Sequence, residues 1–255
     1  MKIVLIGSGN VASHLGKAFA AYGYQIIQVY SFTKANADAL AFGFTAALAT
    51  DSLAQIRTDG DLYILAVSDT AIPTIVEALP ADLVGLVVHC SGATDTAILK
   101  KFANSGVIYP PQSISKNITL QISEIPFCLE GNSPKNLALL QEIMSPIAPH
   151  CIPCDSKQRL ILHIGAVFVN NFSNLLFQCA YELLEQYNLP FELLKPIIIE
   201  TANKVQQEAP RDVQTGPARR NDEITINKHL DFLSQDKEKA EIYQLLTAQI
   251  IKRNK

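Results

Sequence analysis

The sequence has no tryptophan, few cysteines and little net charge. Its five cysteines are an odd number spread over 255 residues, which argues against the disulfide framework of a small secreted protein. The 21 Lys and Arg residues are scattered and outnumbered by 24 acids, so no nucleic-acid-binding surface is expected. No apolar run reaches the roughly 18 residues of a membrane helix; the longest candidate, residues 160–169, is interrupted by His163. The N-terminal apolar run is too short for a signal peptide. We therefore expect a cytoplasmic protein that binds neither nucleic acid nor a membrane.

Cys151 and Cys154 form the chain's one Cys-x-x-Cys pair. A structural zinc site would need a second pair of ligands, and the other three cysteines stand singly. A redox pair normally opens a helix after a strand, whereas this one lies in an extended-looking segment. We interpret the pair as incidental thiols on a strand, and we predict no metal site.

A strand, a glycine turn and a helix are predicted at residues 2–19. Residues 3–6 of the strand are apolar, and the turn that follows, GSGNVA, has the G-x-G-x-x-A form of a dinucleotide fingerprint. Gly7 permits a tight turn, Gly9 leaves room for a pyrophosphate, and Ala12 lets the helix pack against the strand. A plain tight turn is the alternative, but the position between a strand and a helix favours nucleotide binding. Asn10 and Val11, at the helix start, complete the predicted phosphate site.

The end of the second predicted strand, residues 25–30, indicates which dinucleotide is bound. An acid about 20 residues beyond the glycines would bind the ribose of NAD. Here the strand leads into Ser31, Thr33 and Lys34, with no acid before Asp38. Two hydroxyls and a cation suit a 2′-phosphate, so NADP is favoured over NAD. Alternatively, Ser31 and Thr33 only cap a helix at residues 36–42.

Strands alternate with helices over the first hundred residues, which predicts an α/β fold with a doubly wound, mostly parallel Rossmann sheet. Ligands bind beyond the carboxyl ends of such strands. Val67 and Ser68 follow one strand, and Ser91 and Gly92 follow another, so all four are candidates to line the nicotinamide site. Ser68 could instead cap the next helix. From residue 156 only helical segments are predicted, which gives a dinucleotide-binding domain at residues 1–154 and an all-helical domain at residues 155–255.

Polar residues recur at helical spacing inside the first apolar helix of the second half. They are His163, Asn170, Asn171 and Asn174. Buried amides need partners, so these side chains are either hydrogen-bonding core residues or ligand contacts. The later loop at residues 209–222, which contains Arg219 and Arg220, is longer than a plain connection and is expected to close over something.

Several segments together resemble a known superfamily. GSGNVASHLGKAF, VYSFTK, LAVSD and HCSG, followed by an all-helical half, look like the β-hydroxyacid dehydrogenase, pyrroline-5-carboxylate reductase and 6-phosphogluconate dehydrogenase C-terminal-like superfamily. YPPQSIS, DSKQRLILHIGAVFVNNFSN and TGPARRND more closely resemble a group of Rossmann-like proteins with a helical C-terminal domain of unknown function. Members of that group are generally labelled NADP oxidoreductases.

This resemblance implies roles for residues in the helical half. In the β-hydroxyacid dehydrogenases a lysine that acts as acid and base precedes an asparagine by three residues. In this sequence Asn170 and Asn171 match the asparagine amides, but Val167 occupies the lysine position. His163 could replace that lysine as proton donor. Asn174 would then anchor the substrate, and Arg219 or Arg220 would bind a substrate carboxylate.

We therefore predict an NADP-dependent oxidoreductase that moves a hydride between nicotinamide and a small carbonyl, imine or alcohol. The resemblance also implies a homodimer through the helical domain, with the partner's TGPARRND loop completing the site. A nucleotide-binding sensor without turnover is the alternative, supported by Val167. Reduction of a deazaflavin coenzyme is a third possibility.

Overall fold

The computed structural model describes residues 1–114 and 121–254, and its central feature is an eight-stranded sheet. The strands run in the order β3-β2-β1-β4-β5-β6-β7-β8, and every neighbouring pair is parallel except β6 and β7. The predicted doubly wound, mostly parallel sheet is thus confirmed. The strands are β1 Lys2–Ile6, β2 Gln25–Tyr30, β3 Leu48–Thr50, β4 Leu62–Leu65, β5 Leu86–His89, β6 Ser105–Tyr109, β7 Phe127–Gly131 and β8 Cys151–Pro153.

Helices α1 Asn10–Ala21, α2 Lys34–Ala41, α3 Ile72–Ala78 and α4 Pro134–Met144 accompany the sheet. The first of them buries Ala12, Leu15, Gly16 and Phe19, which recur at the three- and four-residue spacing of one helix face. A Cβ on Gly16 would lie 2.7 Å from the Leu5 side chain, so the lack of one lets α1 approach β1 closely. This close packing fixes the start of α1 above the end of β1.

The second half of the chain is helical, as predicted. It contains α5 Ser156–Ala166, a π-helical segment Val167–Phe172, α6 Ser173–Gln186, α7 Lys195–Gln207, α8 Glu223–Phe232 and α9 Lys237–Arg253. The start of α5 is fixed by a capping box, in which Asp155 and Gln158 each bond the other's backbone N–H. The chain forms two compact units, residues 1–171 and residues 172–255, which divide inside the π-helical segment. The predicted domain boundary near residue 154 stays a prediction.

One helix is long and apolar enough, by length and composition alone, to cross a membrane. It is Ser156–Gln186, 31 residues with a mean hydropathy of 1.5 over its most apolar 18-residue window. A single helix of this kind is weak support for a membrane span, because helices buried inside soluble proteins pass the same test.

Two irregular segments lie beside the sheet. Ala46 has a φ of 63°, which breaks an extended run, so β3 begins only at Leu48. The segment between β5 and β6 contains a single 3₁₀ turn, Thr96–Leu99, which is capped by the Asp95 side chain.

Candidate functional site

A cleft of about 830 Å³ opens beyond the carboxyl ends of β1, β2 and β4. Both its position and its size are typical of small-molecule sites in doubly wound sheets. Seven of the residues predicted to hold the cofactor line it: Gly7, Gly9, Asn10, Val11, Ser31, Val67 and Ser68. Ala12 is fully buried behind the turn. The sequence therefore identified the main walls of this cleft.

The two glycines of the turn meet different constraints. Gly7 has a φ of 119°, and a Cβ there would lie 2.2 Å from the Ala66 carbonyl oxygen, so the fold itself requires glycine. At Gly9 a Cβ would meet no heavy atom within 4 Å. This second glycine is therefore not needed by the chain's own packing, and its missing side chain leaves space in the cleft.

Helix α1 begins at the cleft without a side-chain cap. Gly9 occupies the N-cap position and has no side chain that could bond the first backbone N–H groups. Such groups attract an anion, and the helix dipole adds to the attraction. The start of α1 therefore fits a phosphate group, in agreement with the space at Gly9.

The residues after β2 form a polar corner of the site. The buried Ser31 hydroxyl lies 2.8 Å from the Ser8 hydroxyl of the glycine turn. Thr33 is at the N-cap of α2 but makes no side-chain cap bond, and Lys34 forms an ion pair with Asp38. The alternative that Ser31 and Thr33 serve only as caps is therefore wrong. The corner offers hydroxyls and a cation, although the cation is already paired.

The segment after β6 forms a wall of the cleft that the sequence did not predict. Gln112 and Ile114 both line the cleft, and the Asn10 side-chain amide donates to the Ile114 carbonyl oxygen at 2.5 Å. The glycine turn and this segment are thereby joined across 104 residues of sequence. The only sequence signal was the Pro-Pro-Gln-Ser motif at the end of a predicted strand.

Ser68 and Ser91, predicted to line the nicotinamide site, have different surroundings. Ser68 is exposed at the cleft, and it makes no side-chain cap bond at the start of the following 3₁₀ turn. The Ser91 hydroxyl is buried and accepts hydrogen bonds from the backbone N–H groups of Ala93 and Thr94. The Ser68 hydroxyl, which lies 3.2 Å from the Thr70 hydroxyl, thus faces the cleft, whereas Ser91 shapes its own loop.

His163 lies against Gly92 and Tyr109. Its Nδ1 atom is 3.1 Å from the Tyr109 hydroxyl, and the two rings meet edge to face at 5.9 Å. A Cβ on Gly92 would lie 2.7 Å from His163 Cγ, so this glycine gives the imidazole its place. Burial raises the pKa of Tyr109 to about 12, which keeps its hydroxyl protonated. Tyr109 is a residue of this cluster that the sequence analysis missed.

Arg159, which the sequence analysis also missed, fixes the Ser91 loop to α5. Its side chain is 1% exposed and donates to the backbone oxygens of Ser91 and Thr94, and it forms an ion pair with Glu130. The Ser156 hydroxyl donates to the same carboxylate at 2.9 Å. Arg159 precedes His163 by four residues and so lies on the same helix face. That spacing was the signal that could have revealed it.

Other predicted residues lie elsewhere in the structure. Asn170 and Asn171 are exposed in the π-helical segment, a feature often found at functional sites. In the unit of residues 172–255, Asn174 is exposed on α6, and Arg219 and Arg220 are exposed in the turn before α8. Within the unit of residues 1–171, as far as the structure describes it, the cleft lining does not include Thr33, Lys34, Ser91, Gly92, His163, Asn170 or Asn171.

Across residues 1–114 and 121–254, no group of three or more His, Cys, Asp or Glu side chains is placed to hold a metal ion.

Two family models match the chain. A Rossmann-like domain matches residues 1–114, and a domain of unknown function, DUF2520, matches residues 125–250. A search of curated protein sequences finds no match.

Solved structures resemble this one along nearly its whole length. A Bacteroides fragilis protein described as a "putative NADP oxidoreductase" is 39% identical, covers 98% of both chains and has a TM-score of 0.89. A Thermotoga maritima protein is 18% identical with a TM-score of 0.74, and covers 99% of this chain and 98% of its own. A pyrroline-5-carboxylate reductase from Streptococcus pyogenes is 14% identical with a TM-score of 0.64 at the same coverage, so the last two share the fold. On the first relative and the two domain matches, this chain belongs to the family of proteins that join an N-terminal Rossmann-like domain to a C-terminal DUF2520 domain.

Proposed function

We propose that this protein is an NADP-dependent oxidoreductase that transfers a hydride between nicotinamide and a small carbonyl, imine or alcohol. The observation that carries the proposal is the space at Gly9, next to the uncapped start of α1, in a cleft of about 830 Å³. The name of the Bacteroides fragilis relative agrees with this chemistry. Nicotinamide supplies the hydride when bound, so the protein has to bind it, orient it and manage a proton.

The cofactor would lie along the cleft from the glycine turn toward Val67 and Ser68. Gly7, Gly9, Asn10, Val11 and Ala12 form the turn and helix start that receive the pyrophosphate. Ser31, Thr33 and Lys34 would hold a 2′-phosphate, since no acid stands at this strand end to bind a ribose hydroxyl or to repel the phosphate. We therefore propose NADP rather than NAD, with Val67, Ser68, Ser91 and Gly92 toward the nicotinamide.

His163 is the proposed proton donor, and Tyr109 positions it. We propose that the protonated Tyr109 hydroxyl donates to His163 Nδ1, which corresponds to the imidazole tautomer that carries its proton on Nε2. That atom is the one directed away from Tyr109 and can pass a proton to a substrate oxygen or nitrogen. Asn170, Asn171 and Asn174 remain proposed substrate contacts, and Arg219 or Arg220 a proposed carboxylate ligand.

Substitution of Gly9 by alanine tests the cofactor site directly. Because the new methyl group meets no protein atom, Gly9→Ala is expected to leave the melting temperature unchanged while weakening NADPH binding by at least about tenfold, or ~1.4 kcal/mol. The measurement is NADPH fluorescence titration beside calorimetry. Gly43→Ala, an exposed position outside the cleft, is the matched control and should bind NADPH like the unmodified protein. Equal NADPH affinity in all three proteins would contradict the proposed site.

Turnover distinguishes the enzyme from a nucleotide sensor. We expect the protein to oxidise NADPH in a screen of small keto and imino acids, and His163→Asn to lower kcat while leaving NADPH affinity intact. Val167, at the position that a lysine occupies in the β-hydroxyacid dehydrogenases, is the residue that favours a sensor. NADPH binding without oxidation across the screen would support the sensor.

A homodimer through the helical domain is also proposed. In the unit of residues 1–171, the first half of the long helix Ser156–Gln186 exposes Ile161, Ile164 and Val169, of which Val169 is 76% exposed. Exposed apolar side chains in a row mark an interaction surface. Asparagine side chains on the same helix are unfavourable in lipid, so we propose that a second copy of the chain, and not a membrane, covers these exposed side chains. Light scattering should show that the unmodified protein is a dimer and that the Val169→Glu protein is a monomer. An unmodified protein that is monomeric, or that is recovered only in membranes, would refute this proposal. The cytoplasmic location stays a prediction.

A further inference from the structure

Two cysteines from distant parts of the sequence meet at the edge of the sheet. Cys128 is in β7 and is buried, and Cys154 directly follows β8. The backbone N–H of Cys154 donates to the Leu129 carbonyl oxygen at 3.0 Å, which continues the β7–β8 pairing. The register partner of Cys128 is Ile152, so Cys154 lies diagonally across the strand pair from Cys128. Their Sγ atoms are 3.2 Å apart, and both are free thiols.

The Cys-x-x-Cys motif is not the pair that the fold creates. Cys151 donates its thiol hydrogen to the Ala148 carbonyl oxygen at 2.9 Å, and burial raises its pKa to about 11. Cys154 instead faces Cys128, 26 residues earlier in the chain. The sequence paired Cys154 with Cys151, whereas its neighbour in the structure is Cys128.

We propose that Cys128 and Cys154 are a site of reversible oxidation, where a small disulfide such as oxidised glutathione converts the two thiols into one intramolecular disulfide. A disulfide has a sulfur–sulfur distance of about 2.05 Å, so the two sulfurs need to approach by only about 1.1 Å. Neither strand has to leave the sheet for that movement.

The different burial of the two thiols sets the order of the chemistry. Cys128 packs in a buried cluster with Val107 and Tyr109, which keeps a small disulfide away from its sulfur. Cys154 is partly exposed at the side of this cluster and is therefore the thiol that reacts first. Burial, together with the hydrogen bond that the Cys128 thiol shares with Cys154, raises the pKa of Cys128 to about 12, so Cys128 acts second.

The proposed reaction has two exchange steps. The Cys154 thiolate attacks one sulfur of oxidised glutathione, which forms a mixed disulfide and releases one glutathione thiolate. Cys128 then loses its proton and attacks the Cys154 sulfur, which releases the second glutathione. Two protein thiols are oxidised, one small disulfide is reduced to two thiols, and the two protons from the cysteines end on the two glutathione molecules.

The test uses the full-length reduced protein incubated with oxidised glutathione and then denatured for thiol counting and peptide mapping. We expect two of the five thiols to disappear, with the peptides of Cys128 and Cys154 joined and the protein still running as a single chain on a non-reducing gel. A reducing agent should restore all five thiols. Retention of all five thiols, or a bond between Cys151 and Cys154, would overturn the proposal.

Three variants show which thiol does what. Cys151→Ser is the matched control and should still form the Cys128–Cys154 disulfide. Cys154→Ser should leave Cys128 as a free thiol, while Cys128→Ser should accumulate glutathione on Cys154. Glutathione on Cys128 in the Cys154→Ser protein would refute the proposed order of attack. The mapping of the unmodified protein decides the proposal even if one variant folds poorly.

Discussion

Arg159→Met is expected to be strongly destabilising. The substitution removes the hydrogen bonds to the Ser91 and Thr94 carbonyl oxygens, and it leaves Glu130, whose side chain is only 17% exposed, without its cation. Breaking a buried ion pair from one side costs about 3–5 kcal/mol. In a protein whose total stability is typically about 5–15 kcal/mol, this is a large fraction.

The loss should be visible as a shift of the thermal unfolding transition. At roughly 2–4 °C per kcal/mol for a chain of this size, Arg159→Met should lower the melting temperature by about 6–20 °C in calorimetry. Adding Glu130→Gln to this variant should recover part of the loss, because the uncompensated carboxylate is then removed.

The matched control is Arg57→Met, which removes an arginine of the same size from an exposed pair with Asp59. Exposed pairs contribute little, so the control should melt close to the unmodified protein. Similar melting temperatures for the Arg57→Met and Arg159→Met proteins would show that the buried network does not hold the Ser91 loop and α5 together.

Three further predictions concern pH, the histidine and the cofactor. Burial lowers the pKa of His89 from 6.5 to about 4. Between these two pH values the unfolded chain binds more protons than the folded one, so the free energy of unfolding should rise with pH. His89→Gln should flatten that rise when it is measured by urea titrations at several pH values, and an unchanged slope would contradict the assignment to His89. Gly92→Ala places a methyl group 2.7 Å from His163 Cγ and should therefore lower kcat at least about tenfold without changing the affinity for NADPH. If steady-state assays show an unchanged kcat, His163 does not take part in the reaction. Lys34→Ala should weaken NADPH binding by about three- to tenfold and leave NADH binding unaltered, since the Lys34 cation would contact only the 2′-phosphate. An equal loss of affinity for both cofactors in titrations would argue against this contact.

The sequence predicted the parts of the structure that depend on local patterns. The glycine turn and α1 could be predicted because Gly7, Gly9 and Ala12 form a recognisable pattern within six residues, although the atom that requires glycine at position 7, the Ala66 carbonyl oxygen, is distant in the sequence. The sheet could be predicted because apolar strands alternate with helices, and parallel strands then bring their carboxyl ends to one edge. The cleft walls at Val67 and Ser68 followed from that rule alone.

The missed contacts all join residues far apart in the sequence. Tyr109 and His163 are separated by 54 positions, and Glu130 and Arg159 by 29. Such pairs depend on how β6, β7 and α5 pack, and no local pattern encodes that packing. The same holds for Cys154, whose visible sequence partner was Cys151 and whose spatial partner is Cys128. Even the late start of β3 depends on one backbone angle, at Ala46.

The strand order also has a consequence for how the chain folds during synthesis. β1 is an inner strand, and its second neighbour, β4, appears in the chain only at residues 62–65. Until then β1 and β2 leave an open edge that could pair wrongly. After β4, every new strand adds to the same growing edge in chain order, and each finds its neighbour already formed. Ribosome-bound chains that end before β4 should therefore be far more sensitive to protease than chains that include it, because the glycine turn is held firmly only when β1 is paired on both sides.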